Sequence, residues 1–174
     1  DLPNELSGFV PKTDYYDRYY LKGRWHSTTI LSLAIGQGEL GFTPMQMANM
    51  VTAIANRGHY ITPHIAKEVN GTSIRELDSS IVRNETGVDP KYFDEVVEAM
   101  YLVVRQGTGT SAKIDSLEVC GKTGTVQNPH GDDHSTFIAF APKDNPKIAL
   151  SVYVENGYWG SRWAAPIAGL LIEE

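Results

Sequence analysis

The sequence predicts an α+β fold in which a three-strand antiparallel sheet is covered by helices, and three observations lead there. Residues 44 to 57 and 90 to 106 carry apolar side chains at helical spacing. Residues 117 to 125, 135 to 141 and 147 to 155 read as neighbouring strands joined by short polar connections, and residues 164 to 172 form an apolar closing helix. Helices before and after such a run of strands have only the faces of one sheet to bury their apolar sides against.

Composition narrows the class. At 174 residues the chain is within the range of one compact unit with a sizeable core, and 41% apolar with 21% charged residues is ordinary globular usage. A net charge of −6 with no basic tract argues against a nucleic-acid surface. No run approaches the roughly eighteen apolar residues needed to span a bilayer. Asp1-Leu2-Pro3-Asn4-Glu5 carries no signal-peptide pattern, and the missing initiator methionine makes the chain read as a piece of a longer protein. Cys120 is the sole cysteine, so no internal disulfide forms and the redox compartment stays open.

Taken in order, residues 1 to 30 are rich in Tyr, Gly and charge without a sustained period and read as loop with short turns. After Ile35-Gly36-Gln37-Gly38, Thr43 can cap a helix over 44 to 57, with Pro44 at its first position and Gln46 closing a capping box. Met47, Met50, Val51 and Ile54 share one face, and Gly58 stands where a left-handed C-cap belongs. His64 to Val69, Asn70-Gly71 and Thr72 to Leu77 read as a hairpin with a type I′ turn. Asp89 and Pro90 open a second helix with Phe93, Val96, Val97, Met100, Tyr101 and Val104 on its apolar side, ending near Gly107. Gln127 to Asp133 is polar loop. Ser135 to Ala141 and Lys147 to Glu155 alternate like half-buried strands, and Pro166 restricts the last helix to begin close by.

The chemistry concentrates in Gly121-Lys122-Thr123-Gly124-Thr125, at the end of the apolar run Leu117-Glu118-Val119-Cys120. A strand bearing a cation, hydroxyls and a position without a side chain suits an acidic, extended ligand docked along a sheet edge. Three readings compete. A phosphate-binding loop needs glycine five residues before Gly121, where Ser116 stands, and an amphipathic helix after Thr123, where Gly-Thr-Val follows. A Cys120 nucleophile, or a metal site with His130 and His134, competes with a small buried strand residue and a solvated Gly131-Asp132-Asp133 loop, which are the commoner situations. The third reading is recognition of a peptide carboxylate beside an acylating serine.

For that third reading the text is specific. Gly121 to Gln127, then Asp133-His134-Ser135-Thr136-Phe137 and Val154-Glu155-Asn156-Gly157, resembles the C-terminal part of a penicillin-binding protein transpeptidase domain, of the penicillin-binding/serine β-lactamase-like fold. Asp1-Leu2-Pro3-Asn4-Glu5, Ile35-Gly36-Gln37-Gly38, Thr43-Pro44-Met45-Gln46 and Gly107-Thr108-Gly109-Thr110 resemble the monofunctional, elongation-type members.

The resemblance implies that residues 1–174 are the C-terminal portion of one such domain. Of the family's Ser-x-x-Lys, Ser-x-Asn and Lys-Thr-Gly motifs only the last is here: no serine has Lys three or Asn two residues later, and Thr110-Ser111-Ala112-Lys113 imitates the first with threonine in the wrong place. It further implies that Lys122 and Thr125 act in catalysis, with Lys122 as a cation near the serine. Lys122, Thr123, Gly124 and Thr125 would bind a D-Ala-D-Ala stem peptide or a β-lactam, the Thr123 and Thr125 hydroxyls holding its terminal carboxylate near the Lys122 charge, Gly124 letting its backbone approach, and the Thr125 amide serving as an oxyanion donor. The implied enzyme is a serine D,D-transpeptidase that needs no cofactor. Its partners are peptidoglycan stem peptides and other cell-elongation proteins, not nucleic acid. It lies on the outer face of the cytoplasmic membrane, reached through an N-terminal anchor outside these residues. The chain alone is expected to be inactive and to leave a sheet edge at Lys147 to Glu155 open to self-association. A non-catalytic binding or scaffolding module of the same fold is the alternative.

Overall fold

The computed structural model describes residues 5–77 and 83–174, so Asp1 to Asn4, part of the sequence resemblance, lie outside the described residues. The described chain divides into two compact units, residues 5–43 and residues 44–174.

In the smaller unit the stretch read as loop contains a helix, α1 (Thr13–Tyr20). Its period is written in aromatic rings rather than aliphatic side chains, which is why the apolar pattern missed it. Tyr15 meets Tyr19 at 5.1 Å and Tyr16 stacks on Tyr20 at 6.3 Å, each four residues apart on one face. Tyr16 is the buried member. Its hydroxyl donates to Glu39 Oε2 at 3.0 Å, and desolvation followed by that bond pushes its pKa up to about 12. A short 3₁₀ turn, Leu31–Ile35, ends on Gly36 in left-handed conformation.

In the larger unit α2 (Pro44–Ala55) begins at the expected proline. Its buried stripe is Val51 and Ala55 with Ile54 alongside, while Met50 stays exposed. The cap is also shifted. Arg57 takes the left-handed position at φ 56°, and Gly58 at φ 114° closes the turn by donating its N–H to Ala53 O at 2.8 Å. With Arg57 N bonded to Ile54 O at 3.0 Å this is a Schellman closure, and the predicted glycine lies one residue past the left-handed site.

Next, β1 (His59–Ile61) pairs antiparallel with β4 (Arg83–Glu85), a long-range ladder that no local pattern announced. The Asn70-Gly71 turn forms with φ of 52° and 80°, as a type I′ turn needs. Its strands are only β2 (Glu68–Val69) and β3 (Thr72–Ser73), and Ile74–Leu77 turns into a short helix, α3, instead of continuing the strand. In α4 (Lys91–Gln106) Phe93, Val97, Met100 and Val104 are buried. Asp89 accepts from Lys91 N at 3.1 Å at its start, and the Lys91 ammonium and amide hold that carboxyl below its ordinary range.

The main sheet has the order β5 (Cys120–Val126), β6 (His134–Ala141), β7 (Ile148–Val154), antiparallel throughout. Helix α5 (Ala164–Glu173) covers one face. There Phe137, Ala139 and Ala141 meet Ala164, Ala165, Ala168 and Ile172, with Val104, Ala112 and Val119 closing the cluster. The other face packs Cys120 and Phe140 against Val51 and Ala55 of α2 and Val97 and Met100 of α4. Because helices cover both faces, β6 is more than half-buried: from Phe137 onward only Ile138 is not fully enclosed. Alternation along β6 sends odd residues to α5 and even residues to α2 and α4. Among the described residues no helix is long and apolar enough to cross a membrane.

Candidate functional site

Strand β5 starts at Cys120, not Leu117; the residues before it make an isolated bridge between Ile114 and Leu117. Its first two residues are anchored. Cys120 is fully buried, and desolvation pushes its thiol up to about 12. That is not the exposed setting a reactive thiolate needs, and Cys120 is the small buried strand residue of the commoner situation. Gly121 lies under Phe137: a Cβ there would come within 2.9 Å of Phe137 Cε1 and 3.0 Å of Ile138 O. Only glycine lets the strand pass that ring.

From this anchor the strand runs outward to an exposed Lys122 and half-buried Thr123, Gly124 and Thr125. All four lie on a strand whose only ladder partner among the described residues is β6, so its other edge carries no strand. Lys122 Nζ donates to Thr123 O at 2.6 Å, folding the ammonium along its own strand. The Thr123 hydroxyl pairs at 2.7 Å with the Thr108 hydroxyl, brought in by the turn after α4, where Gly109 N is bonded to Val103 O. Gly124 faces Thr136 across the ladder, and a Cβ on it would fall on Thr136 Oγ1. Thr125 pairs with Ser135. The site is a cation, two hydroxyls and a bare backbone stretch along one open edge. Such an edge can hold a carboxylate and the backbone of an extended peptide.

The histidines do other work. His134 Nδ1 accepts the Asn156 N–H at 3.0 Å, which leaves the ring hydrogen on Nε2 in the neutral form. The loop around His130 is knitted by Asn128, whose side chain binds Asp132 O, Asn156 Oδ1 and His130 N. The Thr110–Ala112 segment is a 3₁₀ turn with Ala112 buried, and Ser111 Oγ donates to Ser161 O at 2.9 Å. A groove of about 280 Å³ lies near the Cys120 end of β5, lined by Tyr101, Arg105, Lys113, Asp115 and Leu117 among others, and none of the four motif residues borders it.

Three residues beside the motif escaped sequence reasoning. Thr108 enters the sequence reading only as part of the resemblance, yet its hydroxyl holds that of Thr123. Ser135 was read as a strand residue, yet its buried hydroxyl donates to Trp159 O at 2.9 Å and accepts Ala164 N–H at 3.1 Å. Gly160 lies against Gly124 from the turn after β7. The signal available was weak: small or hydroxyl residues at strand and helix ends, with partners 15 to 36 residues away.

Comparison with known proteins bears on this arrangement. Residues 1–173 match the family described as penicillin binding protein transpeptidase domain. The peptidoglycan D,D-transpeptidase MrdA of Acinetobacter baumannii is 32% identical over 92% of this chain and 26% of its own length. The structure of Pseudomonas aeruginosa PBP2 in complex with WCK 5153 superposes with a TM-score of 0.85 at 35% identity, covering 99% of this chain and 39% of that one. The complex between PBP2 and MreC from Helicobacter pylori gives a TM-score of 0.77 at 27% identity, over 98% of this chain and 30% of that one. The chain thus spans between a quarter and two fifths of the length of these three relatives. With the family match running across nearly every residue and the motif strand at an open sheet edge, the chain belongs to the penicillin-binding protein transpeptidase family.

Proposed function

We propose that these 174 residues are the C-terminal portion of a serine D,D-transpeptidase domain, and that they supply its Lys-Thr-Gly strand. The observation that carries this reading is the open outer edge of β5, where Lys122, Thr123, Gly124 and Thr125 pair with β6 on one side and have no strand on the other among the described residues. An extended stem peptide adds to that edge as a further strand, its main chain bonded to β5. The Thr123 and Thr125 hydroxyls then take its terminal carboxylate, and Lys122 supplies the counter-charge. Gly124 keeps the approach free of a side chain.

The reaction of the intact protein is acyl transfer. A serine outside these residues attacks the carbonyl carbon of the penultimate D-Ala, and the oxyanion that forms accepts the Thr125 N–H. The C–N bond to the terminal D-Ala breaks, that residue leaves as the amine, and an ester to serine remains. An amine of a neighbouring stem peptide attacks the ester, forms the cross-link and returns the serine. A β-lactam follows the first step alone. Lys122 favours the ionised partners of each step by its positive charge.

A relative solved in complex with MreC supports a place among cell-elongation proteins, and the substrate supports the outer face of the cytoplasmic membrane. Mass spectrometry of the intact protein after exposure to a penicillin tests the reading. A stable mass increment of one penicilloyl group is expected. Its absence from folded protein favours a scaffolding module of the same fold.

The second open edge, of β7, fits a second copy of this chain. Antiparallel pairing about Ser151 sets Ile148 against Val154 and Leu150 against Val152, with Lys147 opposite Glu155 at each end. Like-facing apolar rows and opposite charges therefore coincide in one register, and an uncovered edge of this kind is a template for another strand.

A further inference from the structure

The turn between β7 and α5, residues 155 to 163, contains two non-glycine residues with positive φ, Asn156 at 52° and Tyr158 at 60°. Holding both there costs free energy, so other bonds must fix the turn. Tyr158 N donates to Asp133 O at 2.8 Å, Arg162 N to Trp159 O at 2.9 Å and Ala165 N to Gly160 O at 2.9 Å. The buried Ser135 hydroxyl bridges Trp159 O and Ala164 N, and Ser111 Oγ binds Ser161 O. These bonds seat Gly160 on the sheet over the Gly124–Thr136 pair. A Cβ at Gly160 would fall on Thr136 O and lie 2.7 Å from Gly124 O and 3.0 Å from Gly124 N. All three atoms are strand backbone and cannot swing away as a side-chain tip would.

We propose that Gly160 is a positioning residue for the reaction: its bare Cα bears on Gly124 and fixes the height of the strand backbone that presents the Thr125 amide. This deepens the transpeptidase reading and rests on it for the role of Thr125. An oxyanion donor acts only within a few tenths of an ångström of its target, so a displacement of Gly124 by the width of one methyl is felt in the chemical step more than in ligand binding. The structural alternative is that Gly160 merely packs the turn, in which case substitution loosens the whole sheet.

The test is Gly160→Ala in the intact protein, read two ways. Acylation by a penicillin, measured below the melting temperature of each variant, is expected to slow at least tenfold, with the loss in the first-order step and not in the concentration for half-saturation. Amide hydrogen exchange is expected to quicken at Gly124 and Val126, whose N–H groups face β6, while residues 138 to 141 keep the parent rates. Acylation within twofold of the parent, or exchange raised evenly along β5 and β6, overturns the proposal. If Gly160→Ala does not fold, Ser135→Ala releases the same turn without adding an atom, and the same two readings apply. Parent protein that never acylates removes the transpeptidase reading, while the exchange pattern still decides whether Gly160 holds Gly124.

Discussion

Replacing Lys122 by alanine separates a catalytic role for the motif from a structural one. Lys122 is exposed, and its ammonium bonds a carbonyl of its own strand at 2.6 Å, a contact that crosses no packing layer. Removing an exposed side chain of this kind changes stability by about 0.5 kcal/mol or less. For a domain of this size that is a shift of roughly 2 °C in Tm at most. If the ammonium supplies charge to the carboxylate and the reacting centre, its loss costs acylation on the order of 100- to 1000-fold, as removal of an oxyanion donor does. Thr123→Val runs in parallel. It breaks the 2.7 Å bond to Thr108, worth about 0.5 to 1.5 kcal/mol, against which valine restores strand propensity. Penicillin acylation rates and thermal melts of both variants in the intact protein are the assay. Acylation within threefold of the parent together with a Tm lowered by several degrees would refute the reasoning and make both residues structural.

Three other perturbations follow from the same geometry. Gly121→Ala overpacks the Phe137 ring and should destabilise by about 1 to 3 kcal/mol, seen as a lowered urea midpoint with unchanged slope; an unchanged midpoint means the ring can move. Cys120 should resist thiol reagents until the protein unfolds, and rapid native labelling contradicts its burial. Its raised pKa also sets a pH dependence: the folded state keeps a proton that the unfolded state releases above its ordinary value of 9.0, so this contribution to stability is complete below pH 9 and is lost as pH rises toward about 12. Light scattering of the 174-residue chain should show dimers through β7 that substitution of the exposed Ile148, Ile148→Lys, abolishes, and a monomer at high concentration with protected amides at 148 to 154 removes the edge-pairing proposal.

What the sequence disclosed, and what it hid, divides by distance along the chain. Helix α4 was legible because Phe93, Val97, Met100 and Val104 repeat at 3.6 residues with acids opposite, and β6 was legible in place, although helices on both faces bury it further than the expected alternation. The motif residues fell on the predicted strand for the same reason. Helix α1 was hidden because its face is built of tyrosines, whose rings pack like apolar groups but score as neither. The β1–β4 pairing joins residues more than twenty positions apart in strands of three residues, too short for any period. The left-handed residue at the end of α2 is Arg57, although a glycine stands next to it. At the site, Thr108, Ser135 and Gly160 matter through contacts with partners distant in sequence, which no local pattern encodes.

The proposed role of this chain is to carry the Lys-Thr-Gly part of a penicillin-reactive site whose nucleophile lies outside it. Incubation with a fluorescent penicillin, followed by denaturing electrophoresis of the 174-residue chain, the intact protein and its Lys122→Ala variant, tests it directly. A covalent band is expected for the intact protein, a band slowed by orders of magnitude for the variant, and none for the chain alone. A covalent band on the 174-residue chain, or labelling of Lys122→Ala at the parent rate, would contradict it.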